Sequence, residues 1–141
     1  MSDGFEVQEH VDAAPDDVWA SLTRLDRAAA WMPGIEAMTQ LDPGPIGLGT
    51  RFGFTARGKA RETRITAFEA GRLMALTSTQ GGVTATYTYS LAPSGRGTEV
   101  TLKAVCRASG LWRLLHPLIV VAMKRSDSGQ LKNLKIAIEN Q

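Results

Sequence analysis

Between residues 50 and 108 the sequence contains five strand-like segments that are separated only by short breaks. Each break carries glycine or proline, as in Gly81-Gly82 and Pro93–Gly97, and these residues favour tight turns. Such short links favour antiparallel pairing, because a parallel pair of strands needs a crossover of a dozen or more residues. The region therefore predicts a meander in which each strand pairs with the next.

The segment Val83–Leu91 alternates most cleanly between apolar and polar side chains. One face carries apolar or aromatic residues, including Tyr87 and Tyr89, and the other face is all threonine and serine. A period of two is typical of a strand with one buried face. The pattern predicts an open sheet with one dry side and one solvated side.

One further strand and two short helices are predicted before the meander. Phe5–Val11 alternates as a strand does. Pro15, followed by two aspartates, suits the first turn of a short amphipathic helix, where carboxylates face the positive end of the helix dipole. Residues 27–31 predict a second helical turn, which Pro33-Gly34 ends.

The last thirty residues are helical in pattern and carry two kinds of apolar surface. One stripe runs along the whole segment and comprises His116, Val120, Met123, Leu131, Leu134 and Ile138. A second apolar face is confined to the first half and comprises Leu111, Leu114, Leu115, Leu118, Val121 and Ala122. We expect the second half to pack tightly against the sheet, and the first half to border a cavity, its entrance or a partner.

This order of elements predicts an α+β fold. A curved antiparallel sheet of about seven strands surrounds a long C-terminal helix, since no other element is long enough to cover the apolar side of the sheet. A sheet that curves around one helix leaves an enclosed space, of the kind that holds small apolar ligands.

Composition excludes several classes of protein. The 141 residues are 43% apolar and 21% charged, as in one soluble globular domain over residues 1–141. A net charge of +2 without a basic stripe argues against nucleic-acid binding. The single cysteine and the lack of a secretory signal predict a cytoplasmic protein. The most apolar stretch, Leu111–Met123, is too short for an integral membrane segment.

Several segments resemble the SRPBCC (START-like) superfamily, and most of all its polyketide cyclase/dehydrase branch. They are spread over the whole chain: Val11–Trp19, Trp31–Ile35, Gly47–Thr50, Gly97–Val100 and Leu131–Glu139. The resemblance implies a helix-grip fold and the binding of a hydrophobic small molecule, such as a lipid, a quinone or a polyketide-like compound. These segments are scaffold motifs, so they do not define a reaction.

Aromatic and methionine side chains are the candidates for lining the cavity, because their surface is polarizable and adaptable. The candidate ligand-binding residues are Trp31, Met38, Phe52, Phe54, Met74, Tyr87, Tyr89, Trp112, Leu115, Val120 and Met123. Trp112 and Leu115 are the candidates for its entrance, and a plain core role is the alternative for each residue. The charged residues Arg61, Glu62 and Arg64 either form a charge pair at the cavity mouth or lie on the solvated sheet face.

Catalytic candidates are few. His116 lies on the long helical stripe and suits proton transfer near neutral pH, and the phenols of Tyr87 and Tyr89 could orient a carbonyl group. Neither the two histidines nor Cys106 shows metal-ligand spacing, so we expect no metal and no cofactor. Three functions stay open: hydrophobic ligand binding, a polyketide cyclase or dehydratase activity, and a protein-interaction role, including a homodimer, for the face Leu111–Ala122.

Overall fold

Seven strands and three α-helices make up most of the computed structural model, which describes residues 4–56 and 58–140. The strands are β1 (Gly4–Val11), β2 (Ile35–Gln40), β3 (Arg51–Ala56), β4 (Lys59–Glu69), β5 (Leu73–Gln80), β6 (Val83–Ser94) and β7 (Gly97–Ala108). The α-helices are α1 (Pro15–Thr23), α2 (His116–Asp127) and α3 (Gln130–Glu139). Two 3-10 helices, Leu25–Ala30 and Gly110–Leu115, follow α1 and precede α2.

All seven strands form one antiparallel sheet in the order β1-β7-β6-β5-β4-β3-β2. The meander from β2 to β7 follows chain order, and β1 closes the far edge by pairing with β7. Two-residue turns join β5 to β6 and β6 to β7, and each begins with a glycine at positive φ, as a type II′ turn requires. The predicted α+β helix-grip architecture is therefore confirmed.

The core lies where the helices cover the concave face of the sheet. Leu131, Leu134 and Ile138 of α3 are buried, whereas α2 has no buried residue. Val18 and Leu22 of α1 belong to the same core. The second half of the C-terminal segment therefore packs closely, and the first half does not, which is the division that the apolar pattern predicts.

The C-terminal helical segment is interrupted between α2 and α3. Ser128 and Gly129 both keep right-handed helical backbone angles, so the chain does not reverse there. The Ser128 amide still bonds in the helical direction and donates to the carbonyl of Lys124 at 3.0 Å. Asp127 and Gln130, on either side of this break, line the same cavity.

The convex face of the sheet is polar. Thr77 of β5 shares hydroxyl hydrogen bonds with Thr66 of β4 at 2.8 Å and with Thr86 of β6 at 3.0 Å. Cross-strand hydroxyl pairs of this kind stabilise neighbouring strands modestly. Because side chains alternate along a strand, residues next to these threonines point to the opposite, concave face.

Candidate functional site

A cavity of about 490 Å³ lies between the concave face of the sheet and α2. Its wall combines strands β2 to β6, the link before β2, helix α2 and the start of α3. The lining residues are Met32, Pro33, Gly34, Ile35, Met38, Phe54, Ala56, Arg61, Thr63, Leu76, Ser78, Ala85, Tyr87, Tyr89, Ile119, Ala122, Met123, Ser126, Asp127 and Gln130. Most of this wall is apolar. Pro33, Gly34 and Ala122 are exposed residues of the wall and mark where it reaches the surface.

Strand alternation selects most of the side chains that reach the cavity. On β6, Ala85, Tyr87 and Tyr89 line it, while the intervening threonines face outward. On β2 the alternation is broken, because a β-bulge shifts the register between Glu36 and Thr39. Ile35 and Met38, three residues apart, can therefore both line the cavity.

Four polar side chains form a connected cluster in the cavity wall. The phenol of Tyr87 donates to Oδ2 of Asp127. The phenol of Tyr89 donates to Oε1 of Gln130 at 2.5 Å, and Nε2 of Gln130 donates to Oδ1 of Asp127 at 3.2 Å. The two strand tyrosines and the two helix residues therefore join the sheet to the end of α2 and the start of α3.

Burial and charge both favour the neutral phenols in this cluster. Desolvation raises the pKa of Tyr87 far above the ordinary value for tyrosine, and the neighbouring Asp127 carboxylate raises it further. The pKa of the fully buried Tyr89 is also raised, first by desolvation and second by Asp127. Both hydroxyls therefore stay protonated at neutral pH and act as hydrogen-bond donors.

Arg61 is the cationic side chain of the cavity wall. It lies on β4, where Thr63, two residues on, also lines the cavity, whereas Glu62 and Arg64 are exposed. Glu62 accepts instead from Arg51 at 3.4 Å. Within residues 4–56 and 58–140, the Arg61 guanidinium forms no hydrogen bond or ion pair, so it can serve a polar group that enters the cavity.

Five of the predicted ligand-binding residues line the cavity: Met38, Phe54, Tyr87, Tyr89 and Met123. Three others are buried in the core beside it without lining it: Trp31, Phe52 and Met74. Trp31 packs edge-to-face against Tyr89, with ring centroids 5.6 Å apart. It therefore supports a cavity side chain from behind.

The remaining candidates lie away from the cavity. Trp112 and Leu115 are each 45% exposed, and Val120 is partly buried outside the lining. The Nε2 of His116 donates to the carbonyl oxygen of Cys106 at 2.8 Å, because a carbonyl can only accept. That bond ties the start of α2 to β7, and His116 is not part of the cavity wall.

Asp127 and Gln130 are the site residues that sequence reasoning missed. Asp127 lies four residues after Met123 and four before Leu131, in the middle of the predicted apolar stripe. A carboxylate in an otherwise apolar helical stripe is the signal that could have identified it, since buried charges need partners. Gln130 shows no such signal, because it is a neutral polar residue whose burial at the start of α3 appears only in the folded structure.

Residues 4–56 and 58–140 contain neither a metal-ligating cluster nor a membrane-spanning helix. No cluster of three or more His, Cys, Asp or Glu side chains there could hold a metal ion. None of the helices there is both long enough and apolar enough to cross a membrane.

Comparison with known proteins gives the family. A sequence model described as polyketide cyclase/dehydrase and lipid transport matches residues 3–139. The chain belongs to this family. None of the curated proteins compared with this member of the polyketide cyclase/dehydrase and lipid transport family matches it significantly.

Several solved structures share the fold of this polyketide cyclase/dehydrase and lipid transport family member at low sequence identity. Protein MLL2253 from Mesorhizobium loti is 14% identical, with 97% of each chain covered and a TM-score of 0.75. Truncated norcoclaurine synthase from Thalictrum flavum is 16% identical, with 97% of this chain and 93% of that chain covered and a TM-score of 0.70. The di-domain ARO/CYC StfQ from the steffimycin biosynthetic pathway is 16% identical, with 96% of this chain and 50% of that chain covered and a TM-score of 0.73.

Proposed function

We propose that this domain binds one small, largely apolar molecule whose oxygen-bearing end contacts the Tyr87–Asp127–Gln130 cluster and Arg61. The observation that carries the proposal is a largely apolar cavity of about 490 Å³ with a connected polar cluster in its wall. Membership of a family described by cyclase, dehydrase and lipid transport functions supports it. Lipids, quinones and polyketide-like compounds are the ligand classes that we propose.

The size and lining of the cavity support this ligand class. Ligand pockets are typically about 300–1,000 Å³ and are mostly apolar, with a few polar groups that fix orientation. Here the apolar part comes from residues such as Phe54, Leu76 and Met123. A ligand that is apolar throughout would give Arg61 no partner, so an amphipathic ligand fits the wall better.

The polar groups define what the oxygen-bearing end can be. The Tyr87 hydroxyl donates its hydrogen bond to Asp127, but the hydroxyl oxygen can still accept a hydrogen bond. Gln130 has a second amide hydrogen, and the Arg61 guanidinium presents five N–H donors. A carbonyl oxygen can accept from Arg61 or Gln130, and a hydroxyl group can in addition donate to Tyr87.

A binding experiment with a matched pair of variants tests the proposal. The neutral fluorophore Nile red, which carries a carbonyl group, is titrated into the protein and its fluorescence is recorded. We expect saturable one-to-one binding that Ala85→Phe weakens by at least about tenfold, because the new ring fills the cavity. Thr88→Phe, three residues along the same strand on its polar face, is the control and should bind as the unmodified protein does. Binding that is not saturable, or that both variants weaken equally, would contradict the proposal.

A second candidate function is acid–base catalysis on a ligand carbonyl. The observation that favours it is a carboxylate, Asp127, that accepts a phenol hydrogen bond inside an apolar cavity. In this reaction Asp127 removes a proton from the carbon next to the carbonyl, and Arg61 or Gln130 donates a hydrogen bond to the carbonyl oxygen as negative charge develops there. His116 has no part in it, since its ring bonds to the β7 backbone.

Hydrogen–deuterium exchange separates catalysis from binding. The ketone 2-tetralone is incubated with the protein in D₂O, and NMR follows the exchange of its α-hydrogens. Catalysis predicts faster exchange with the unmodified protein, lowered about 10²–10⁴-fold in Asp127→Asn, while Nile red binding is retained. Equal exchange rates with and without the protein would leave binding as the function and exclude catalysis on this class of ketone.

A further inference from the structure

An exposed apolar stripe runs along the outside of the segment that covers the cavity. It consists of Leu111, Leu114, Leu118 and Val121, and we call it the outer stripe. Leu111 is 84% exposed, Leu114 80% and Leu118 68%. The four residues are spaced three or four apart, so they lie on one side of the helical segment. Single exposed leucines are common, but a continuous exposed stripe marks an interaction site.

The outer stripe is the reverse side of the cavity wall. Ile119 and Met123 of α2 line the cavity, while Leu118 and Val121 of the same helix face solvent. Helix α2 therefore has apolar side chains on both sides and buries none of them. A surface that contacts the outer stripe would lie directly against the helix that separates solvent from the bound ligand.

The charged side chains of the segment that carries the outer stripe have one sign. Arg113, Lys124 and Arg125 are exposed in this segment, and residues 110–126 contain no aspartate or glutamate. Trp112 lies beside the stripe and is 45% exposed. A Cβ on Gly82 would lie 2.4 Å from the Trp112 ring, so this glycine lets the indole lie against the turn between β5 and β6.

These positive charges distinguish between two partners for the outer stripe, a second copy of this chain and an anionic surface. In a two-fold dimer the same patch meets itself, which would bring the basic groups of one copy close to those of the other. An anionic surface has the complementary charge. Leucines and a tryptophan flanked by lysine and arginine are the composition of helices that lie in the plane of a membrane interface.

We infer that the outer stripe docks the domain on an anionic lipid surface, with the leucines in the interface and Arg113, Lys124 and Arg125 at the headgroups. Burial of the leucines and attraction of the basic side chains to anionic lipid contribute separately to interfacial binding, so their effects on affinity add. Docking there would place α2 and the cavity behind it against a source of apolar molecules. The inference does not depend on the ligand proposal, because the outer stripe is exposed whether or not the cavity is filled.

Vesicle flotation tests this inference with two exposed leucines as a matched pair. The intact protein is mixed with vesicles of phosphatidylcholine alone or with about 30% phosphatidylglycerol, and the bound fraction is measured. We expect binding to the anionic vesicles, weakened at least about fivefold by Leu118→Ser and unchanged by Leu48→Ser, since Leu48 is 73% exposed but lies outside the stripe. The triple variant Arg113→Gln, Lys124→Gln, Arg125→Gln should lose the preference for anionic vesicles.

Several results would overturn the inference. They are failure to bind the anionic vesicles, equal binding to both vesicle types, and equal effects of Leu118→Ser and Leu48→Ser. Self-association that Leu118→Ser abolishes, without vesicle binding, would assign the face to a second copy of the chain. Binding to poly-glutamate without vesicle binding would assign it to an acidic protein. Nile red binding without vesicles should be the same in Leu118→Ser as in the unmodified protein, so failure of docking and failure of the ligand proposal are distinguishable.

Discussion

Tyr87 and Tyr89 are the only tyrosines in the chain, so every tyrosine signal comes from the cavity. Their pKa values are raised in the folded protein, whereas the unfolded chain has the ordinary value of about 10. Above about pH 10 the unfolded chain therefore binds fewer protons than the folded protein. The free energy of unfolding falls with rising pH under this condition.

The size of the effect follows from the unfolded value. The contribution of the two neutral phenols is complete below about pH 10 and is lost as the pH rises toward the raised folded pKa values. One pH unit above the unfolded pKa, each tyrosine lowers the free energy of unfolding by about 1.4 kcal/mol. At about pH 11 the two together therefore lower it by about 3 kcal/mol. That is a large part of the stability of an ordinary domain.

Two measurements check this prediction. Urea unfolding at about pH 8 and about pH 11 gives the loss of stability, and absorbance of tyrosinate near 295 nm reports ionisation directly. The double variant Tyr87→Phe/Tyr89→Phe is the control, because it keeps every other alkaline titration. We expect its loss of stability to be smaller by about 3 kcal/mol, and we expect tyrosinate in the unmodified protein to appear only as the far-UV circular dichroism is lost.

One result would refute the reasoning directly. If tyrosinate absorbance rises with a midpoint near pH 10 while the circular dichroism is unchanged, the phenols are accessible in the folded protein. The buried cluster with Asp127 would then not exist in solution. The single variants Tyr87→Phe and Tyr89→Phe show which phenol is responsible.

Three further predictions concern packing. Leu131→Ala should lower the free energy of unfolding by about 2–5 kcal/mol because Leu131 is fully buried, whereas Leu118→Ala should change it by less than about 0.5 kcal/mol; similar urea midpoints would contradict this contrast. Gly97→Ala should lower the free energy of unfolding by about 1–3 kcal/mol and increase amide exchange in β1, because the new Cβ would lie 2.3 Å from the backbone oxygen of Val11. Unaltered amide exchange in β1 would show that the strand accommodates the new methyl group. The thiol of Cys106, which is fully buried, should react with Ellman's reagent only at the rate of unfolding, and rapid labelling in native buffer would show that β7 is open.

Part of the site could be predicted from sequence because strands impose a simple period. The alternation of β6 alone placed Tyr87 and Tyr89 on its apolar face, and both line the cavity. The bulge in β2 was not predictable in this way. Ala37 in this strand has a φ of 51°, a value that residues other than glycine rarely adopt. No local pattern in residues 35–40 indicates this backbone conformation.

The C-terminal segment shows the limit of helical periodicity. Because a second apolar face accompanies the apolar stripe only in its first half, the pattern distinguishes the unburied α2 from the tightly packed α3. The same stripe includes His116 with Met123, yet only Met123 lines the cavity. A helical wheel gives direction around an axis, but it does not say where along that axis the sheet curves away from the helix.

The sequence and the tertiary structure each determine a different part of the cavity. The sequence by itself determined the meander, the dry face of β6 and the helix that covers it, since these depend on residues that are neighbours along the chain. Only the tertiary structure decided that Tyr87 meets Asp127 and that Tyr89 meets Gln130, across separations of 40 and 41 residues. Those contacts depend on sheet curvature and on how α2 and α3 lie against the sheet, which are set by the packing of the whole domain.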